Sequence, residues 1–456
     1  MATMDEPARQ PVAMQPAQGS ESHLARGALS LFDTISSTLA NLAPVEGIFL
    51  SITLVVVAMG SQAPWAFLIA GIAILATGNT MAEFSKSIPS AGSFVTFIGR
   101  GFGSRAPRTG SVLAGISYYL LVICYPVTIG AVVVFMGSWV SSLFNWGNAG
   151  WLAVTLAGLA LAVPLLLRGV VISARASFIM FCSEALGLII LSVVVLTRVH
   201  GHLGAPFHAS GGSPGGFRGL VGLTFALAVS GFVGWENSGA LAEESRNPRR
   251  YIPITVFTSV AIITVLYVLS TWAAVAGFAD WKGTVSQTRI TFNGARAGLL
   301  PPSMATVSRT KVPWASVAIY TGLTVLLVVI PFFALHGNAV SIFSDEAGIG
   351  TVPILIVYLL ANIALPLYVL AANRQAFRPV RHVVVPLIGT AVLVYGVWEF
   401  VQPSQPPPAN VYWAWILGIV LIAVIATAIV YVRRRSALDR AATEGPELIL
   451  AADSSR

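Results

Sequence analysis

Two carboxylates stand among largely apolar or small residues: Glu46, within SSTLANLAPVEGIFLS, and Glu236, in the first half of AVSGFVGWENSGALAEESRNPRRYIP at residues 228–253, a stretch that ends in a charged knot. Each is accompanied by residues that loosen a helix, Pro44 and Gly47 beside the first and Ser230, Gly231 and Gly234 before the second. Proline removes an N–H bond and glycine tolerates open backbone, so both stretches are expected to be interrupted helices. A carboxylate at membrane depth costs several kcal/mol unless it is paired or wetted. The backbone groups freed by an interruption carry the same penalty unless they face a cavity or a ligand. Half-helix N-termini hold carboxylates, and freed carbonyls hold ammonium groups or cations. A zwitterion satisfies both kinds of group at once. At that break Glu46 either pairs with a ligand amine, carries a coupling proton, or snorkels and pairs structurally with polar neighbours.

The elements that must position these groups follow from composition. The chain has 456 residues, of which 56% are hydrophobic and only 10% charged, with a mean hydropathy of +0.80. Soluble domains carry roughly 25% charged residues, so this is a membrane composition. The excess of 26 Lys+Arg over 18 Asp+Glu, a net charge of +8, lies in loops between apolar runs. That placement reads as loops facing anionic lipid and excludes a nucleic-acid partner. Cys124 and Cys182 both fall inside apolar runs, which argues against a disulfide framework or zinc site. Residues 1–30 lack the apolar core of a signal peptide and read as a disordered cytoplasmic tail.

Stretches of about twenty apolar residues can each cross the hydrocarbon core. Eleven such spans are expected, near 34–59, 64–84, 111–139, 150–168, 174–197, 218–243, 252–278, 313–335, 348–372, 383–401 and 411–432. Basic loops after the second, fourth and sixth spans, the last with Arg246, Arg249 and Arg250, place those loops and the N-terminus in the cytoplasm. The alternation breaks after the seventh span. Arg289, Arg296, Arg309 and Lys311 belong inside, yet only the polar DWKGTVSQT separates them from an outer end at Phe278. A span is expected to be missing between Gly277 and Arg289, after which Asp345 and Glu346 fall outside and Arg433, Arg434 and Arg435 inside.

Phe232, Gly234, Trp235 and Glu236, followed by Glu243, Glu244, Asn247, Pro248 and Pro253, resemble a sixth-span signature of the amino acid/polyamine/organocation permease family. AEFSKSIPSAGSFVTFIGRGFG at residues 82–103 and NGARAGLLP at 293–301 resemble two further family stretches, in family order. The resemblance runs from about Asp33 to Arg435. It implies an all-α integral membrane protein with leucine-transporter-like inverted five-helix repeats plus two peripheral helices. Residues 31–435 then form the permease domain, with repeat one at 34–197, repeat two at 218–372 lacking its third helix, extra helices at 383–432, and a cytoplasmic tail at 436–456. Where family members often carry Gly-Ser/Ala-Gly before Ile-Phe, this chain has Val45-Glu46 before Gly47.

The implied activity is secondary transport of an amino acid or related amine, coupled to protons or by exchange. The rival reading is a permease-like protein that does not transport because the eighth span is absent. The expected substrate site comprises Asn41, Ala43, Pro44, Val45, Glu46 and Gly47 with Ser230, Gly231, Phe232 and Gly234. Coupling or gating falls to Glu46, Phe232, Trp235 and Glu236, although Glu236 is equally well read as hydrogen-bonded to Asn237 or Ser238, and the two aromatics as packing. Tyr118, Tyr119 and Tyr125 either line the cavity or pack, and the charges at 243–250 read as a loop-anchoring network. The expected partners are the small-molecule substrate, membrane lipid and protons, with no cofactor or metal, and no oligomeric state is specified. No phosphate loop, catalytic triad or zinc spacing is present in the sequence, which argues against an ATP-driven pump or a hydrolase.

Overall fold

The computed structural model of the chain describes residues 27–44, 47–48, 52, 55–56, 59–167, 170–199, 203–208, 223–277, 314–334, 339–372, 374–402 and 409–443. Among them every regular element is helical, apart from one isolated parallel bridge between Leu29 and Ser245. In chain order the helices are α1 (Leu31–Asn41), α2 (Ala63–Ser87), α3 (Ser93–Gly103), α4 (Pro107–Phe144), α5 (Gly147–Leu167), α6 (Val170–Arg198), α7 (Leu223–Ser230), α8 (Asn237–Ala240), α9 (Pro248–Gly277), α10 (Trp314–Ala334), α11 (Ala339–Ala372), α12 (Val385–Val401) and α13 (Tyr412–Thr443). A helix closes its own backbone hydrogen bonds, which is what a chain this apolar needs in hydrocarbon. Eight helices among the described residues are long and apolar enough to cross a membrane, and Tyr320–Ala334 is a shorter apolar helix. The other two of the eleven expected spans are the interrupted ones. The protein is an all-α multi-pass membrane protein.

The first interruption follows α1. A capping box starts that helix: the Asp33 amide donates to Ser30 Oγ at 3.2 Å and the Ser30 amide returns a bond to Asp33 Oδ2 at 3.0 Å. The helix stops at Asn41, and Ala43 has a φ of +40°, a left-handed conformation unfavourable for a residue with a side chain. Pro44, whose missing N–H does no harm in a first turn, is again helical, as are Gly47 and Ile48. The second interruption separates α7 from α8, with residues 231–236 in successive turns.

Three features differ from the spans expected above. Helix α3 is a short additional element whose Phe94, Val95, Phe97 and Ile98 are buried, with Phe97 stacked on Phe84 of α2 at 4.7 Å. Helix α11 begins at Ala339, so Asp345 and Glu346 lie within its first turns rather than in a loop before a span starting at 348. Helix α13 continues through Thr443, and Asp439 accepts a hydrogen bond from Ser111 of α4 at 2.6 Å. The main apolar core runs through both interruptions, taking in Leu42, Ile48, Phe232, Trp235, Tyr267 and Tyr358. Helix α6 instead exposes Ile179, Leu186, Ile190 and Leu191, as a lipid-facing helix does.

At one end of the bundle, residues 27–30 pair with the connection from α8 to α9. The Leu29 amide donates to the Glu244 carbonyl at 2.8 Å, and the Arg246 amide donates to the Leu29 carbonyl at 3.0 Å. The charged connection at 243–250 is thus anchored in part through its backbone. Leu29 is fully buried there. Leu29→Pro is expected to lower stability by about 2 kcal/mol or more, since it removes the amide donor and replaces a buried leucine side chain with a smaller ring that cannot fill the same space. The loss is read as a lower thermal midpoint and faster proteolysis at 243–250; an unchanged midpoint contradicts it.

Candidate functional site

The two interruptions face each other at two levels. At the first, Asn41 Nδ2 donates to the Gly234 carbonyl at 3.0 Å. Gly234 adopts a φ of +116°, and a β-carbon built there would sit 2.6 Å from the Asn41 carbonyl oxygen. Glycine is therefore required at 234 by conformation and by space. At the second level, a β-carbon on Gly47 would lie 3.2 Å from the Gly231 carbonyl oxygen and would overlap the Tyr267 hydroxyl. That hydroxyl donates to the Gly231 carbonyl at 2.6 Å.

The structure therefore brings Asn41 and Gly47 of the first stretch against Gly234 and Gly231 of the second, with Phe232 packed on the same Tyr267 ring; Ala43 and Pro44 lie between Asn41 and Gly47 in the chain. Ser230 closes α7, its hydroxyl donating to the Leu227 carbonyl at 2.8 Å. Val45 and Glu46 lie outside the described residues. So does the segment 278–313, where the missing span is expected.

Glu236 is buried, 5% exposed, and its carboxylate spans two partners. Oε2 accepts from the Gly234 amide at 2.8 Å, and Oε1 accepts from the Tyr125 hydroxyl of α4 at 2.9 Å. The carboxylate thus ties the unwound segment to α4, rather than bonding the Asn237 and Ser238 side chains. Asn237 Nδ2 instead reaches Ser37 Oγ at 3.4 Å, and Ser238 Oγ donates to the Trp235 carbonyl at 3.1 Å.

Both aromatics of the motif are fully buried. Phe232 meets Tyr267 edge-on at 5.1 Å between ring centroids. Trp235 meets Phe94 of α3 at 5.7 Å and Tyr358 of α11 at 5.4 Å. Its indole Nε1 is buried with no hydrogen-bond partner among the described residues.

Two residues of this constellation carried no sequence signal of their own. Tyr125 is one of three tyrosines on a uniformly apolar helix, and only the fold selects it over Tyr118 and Tyr119. Tyr267 sits mid-way along α9 with nothing polar beside it at helical spacing except hydroxyl residues such as Thr264, Ser270 and Thr271. Among the described residues no group of three or more His, Cys, Asp or Glu side chains is placed to hold a metal ion.

A family profile described as amino acid permease matches residues 34–282, more than half of the chain and both interruptions. The chain belongs to the amino acid permease family. A second profile with that description matches residues 281–425, so the two abut between α9 and α10. The methylthioribose transporter of Bacillus subtilis is 28% identical over 280 residues, covering 57% of each chain. The branched-chain amino acid permease of the same organism is 25% identical over 338 residues, covering 62% of this chain and 70% of that one. The L-methionine/branched-chain amino acid exporter of Escherichia coli is 28% identical over 225 residues, 48% of this chain and 50% of its own. The chain spans about half the length of most of the curated relatives it matches, with 43% and 57% for two from Bacillus subtilis.

Proposed function

We propose that the chain is a secondary transporter that moves amino acids or related amines across the cell membrane by alternating access, coupled to protons or by exchange. The observation that carries this reading is the juxtaposition of two interrupted helices, with Gly47 beside the Gly231 carbonyl and Asn41 bonded to the Gly234 carbonyl. Freed carbonyls at such a junction hold an ammonium group, and the N-terminal end of a half-helix holds a carboxylate. Two of the relatives are named for methionine and branched-chain amino acids, which carry both groups, while a third is named for methylthioribose, which carries neither.

In this reading residues 34–197 and 218–372 are the two inverted repeats, and both termini are cytoplasmic. Glu46 pairs with the substrate amine or carries the coupling proton, and Phe232 and Trp235 close over the substrate. Glu236 holds the gate in register through Gly234 and Tyr125.

A second reading, a permease-like protein that does not transport, is favoured by one specific observation. The loop charges lose their alternation between Gly277 and Arg289, where a span is expected.

A thermal-shift screen of the purified chain over amino acids and polyamines tests the first reading, because a ligand that binds the folded state raises its midpoint. Binding of at least one amine-bearing compound is expected. Glu46→Gln is expected to weaken that binding at least tenfold, or to remove the pH dependence of uptake. Unaltered affinity together with unaltered pH dependence removes Glu46 from the site.

A further inference from the structure

Tyr267 lies outside every motif noted above, yet it stands at the point where the two interruptions meet. Its side chain is fully buried, and its ring is clamped edge-on between Phe67 at 5.4 Å and Phe232 at 5.1 Å. Its hydroxyl takes the space beside Gly47 that a β-carbon would need, and donates to the Gly231 carbonyl at 2.6 Å. The unwinding after Ser230 is what frees that carbonyl from helical pairing, and a freed carbonyl in a dry interior needs a donor.

We propose that Tyr267 is the resident occupant of the amino-group subsite: its hydroxyl holds the Gly231 carbonyl while the site is empty and yields it to the ammonium group of an incoming substrate. This rests on the reading of the chain as a transporter of amines or amino acids.

The exchange selects by chemistry. A phenol offers one neutral donor, whereas an ammonium offers three and a positive charge, so an amine displaces the hydroxyl with a gain in hydrogen-bond strength. A ligand with only a carboxylate has no donor for the carbonyl and cannot displace it. Because the ring rests against Phe232, its withdrawal also moves the aromatic packed over the second interruption. Occupancy of the subsite is thereby linked to the gate.

The test compares the full-length wild-type chain with Tyr267→Phe in detergent, titrating L-leucine and L-methionine, then 3-methylbutylamine, which keeps the amine alone, and 4-methylpentanoate, which keeps the carboxylate alone. The phenylalanine leaves the carbonyl without its resident donor. The ligand-free thermal midpoint should fall, and Kd for the two amino acids and the amine should tighten by about fivefold, the scale of one lost competing hydrogen bond. The affinity for 4-methylpentanoate should not change. Incorporation of 3-fluorotyrosine at 267, a stronger donor of nearly the same size, should weaken amine binding and keeps the proposal testable if the phenylalanine variant does not fold.

Unchanged or weaker amine binding by Tyr267→Phe, or an equal gain for 4-methylpentanoate, overturns the assignment of Tyr267 and leaves the transport reading standing. No binding of any of the four compounds by either protein overturns both.

Discussion

Gly234→Ala is expected to abolish ligand binding and uptake, a loss of at least tenfold, and to lower the thermal midpoint. Two independent effects act at this position. The φ of +116° lies in a region that residues with a side chain rarely adopt, and strain of that kind costs about 1–3 kcal/mol. The new methyl would also sit 2.6 Å from the carbonyl oxygen of Asn41, which is backbone at the end of a capped helix and cannot swing aside as a side chain would. Relief requires α1 and the unwound segment to separate, which breaks the bond from Asn41 to the Gly234 carbonyl. Asn41→Ala provides the scale, since it removes that bond alone and is expected to cost only about 1 kcal/mol. Thermal midpoints and ligand titrations of both variants check the ranking. A Gly234→Ala protein with wild-type midpoint and binding contradicts the packing of one interruption on the other.

Glu236→Ala is expected to have the second large effect. The truncation leaves the Gly234 amide and the Tyr125 hydroxyl, both in buried surroundings, without the acceptors they have at 2.8 and 2.9 Å. Each orphaned donor costs about 1–3 kcal/mol, so the sum is of the order of 2–6 kcal/mol. Glu236→Gln keeps one carbonyl oxygen and should fall between wild type and alanine. Tyr125→Phe removes a single partner and should lose less still. If the carboxylate acts as one bridge between the unwound segment and α4, Tyr125→Phe adds little on top of Glu236→Ala, and a double-mutant cycle on thermal stability reads that coupling directly. Full additivity of the two substitutions argues that they act separately.

Much of this architecture is legible in the sequence because the membrane limits the choices. Apolar runs of about twenty residues become helices for want of any other way to pair their backbone. Pro44 and Gly47, and Gly231 with Gly234, mark the interruptions because proline gives up an N–H bond and glycine tolerates open backbone. The partners across the gaps are a different matter. Tyr125 and Tyr267 lie on helices that are apolar on all faces, so no periodicity singles out the face that turns inward. The pairing of Leu29 with Glu244 and Arg246 runs entirely through backbone atoms, which side-chain patterns do not report. In the sequence Asp345 and Glu346 read as charges outside a span near 348–372, whereas α11 already includes them: Asp345 accepts from the Tyr412 hydroxyl of α13 at 3.0 Å and Glu346 is buried against Gly130 of α4. Glu236 illustrates the same limit from the other side. Its depth is legible from its neighbours, but its partners come from Tyr125 on another helix and from an amide freed only by the unwinding.

The most direct test of the central claim is flux. The purified full-length chain is reconstituted into liposomes loaded with unlabelled L-leucine and L-methionine, and entry of the labelled compounds is followed with and without an inward proton gradient. If the paired interruptions form one transport site, label accumulates or exchanges, and Gly234→Ala abolishes it. If the chain neither accumulates nor exchanges label, while a version with a homologous span inserted between Gly277 and Arg289 does, the protein is a permease-like membrane protein that does not transport.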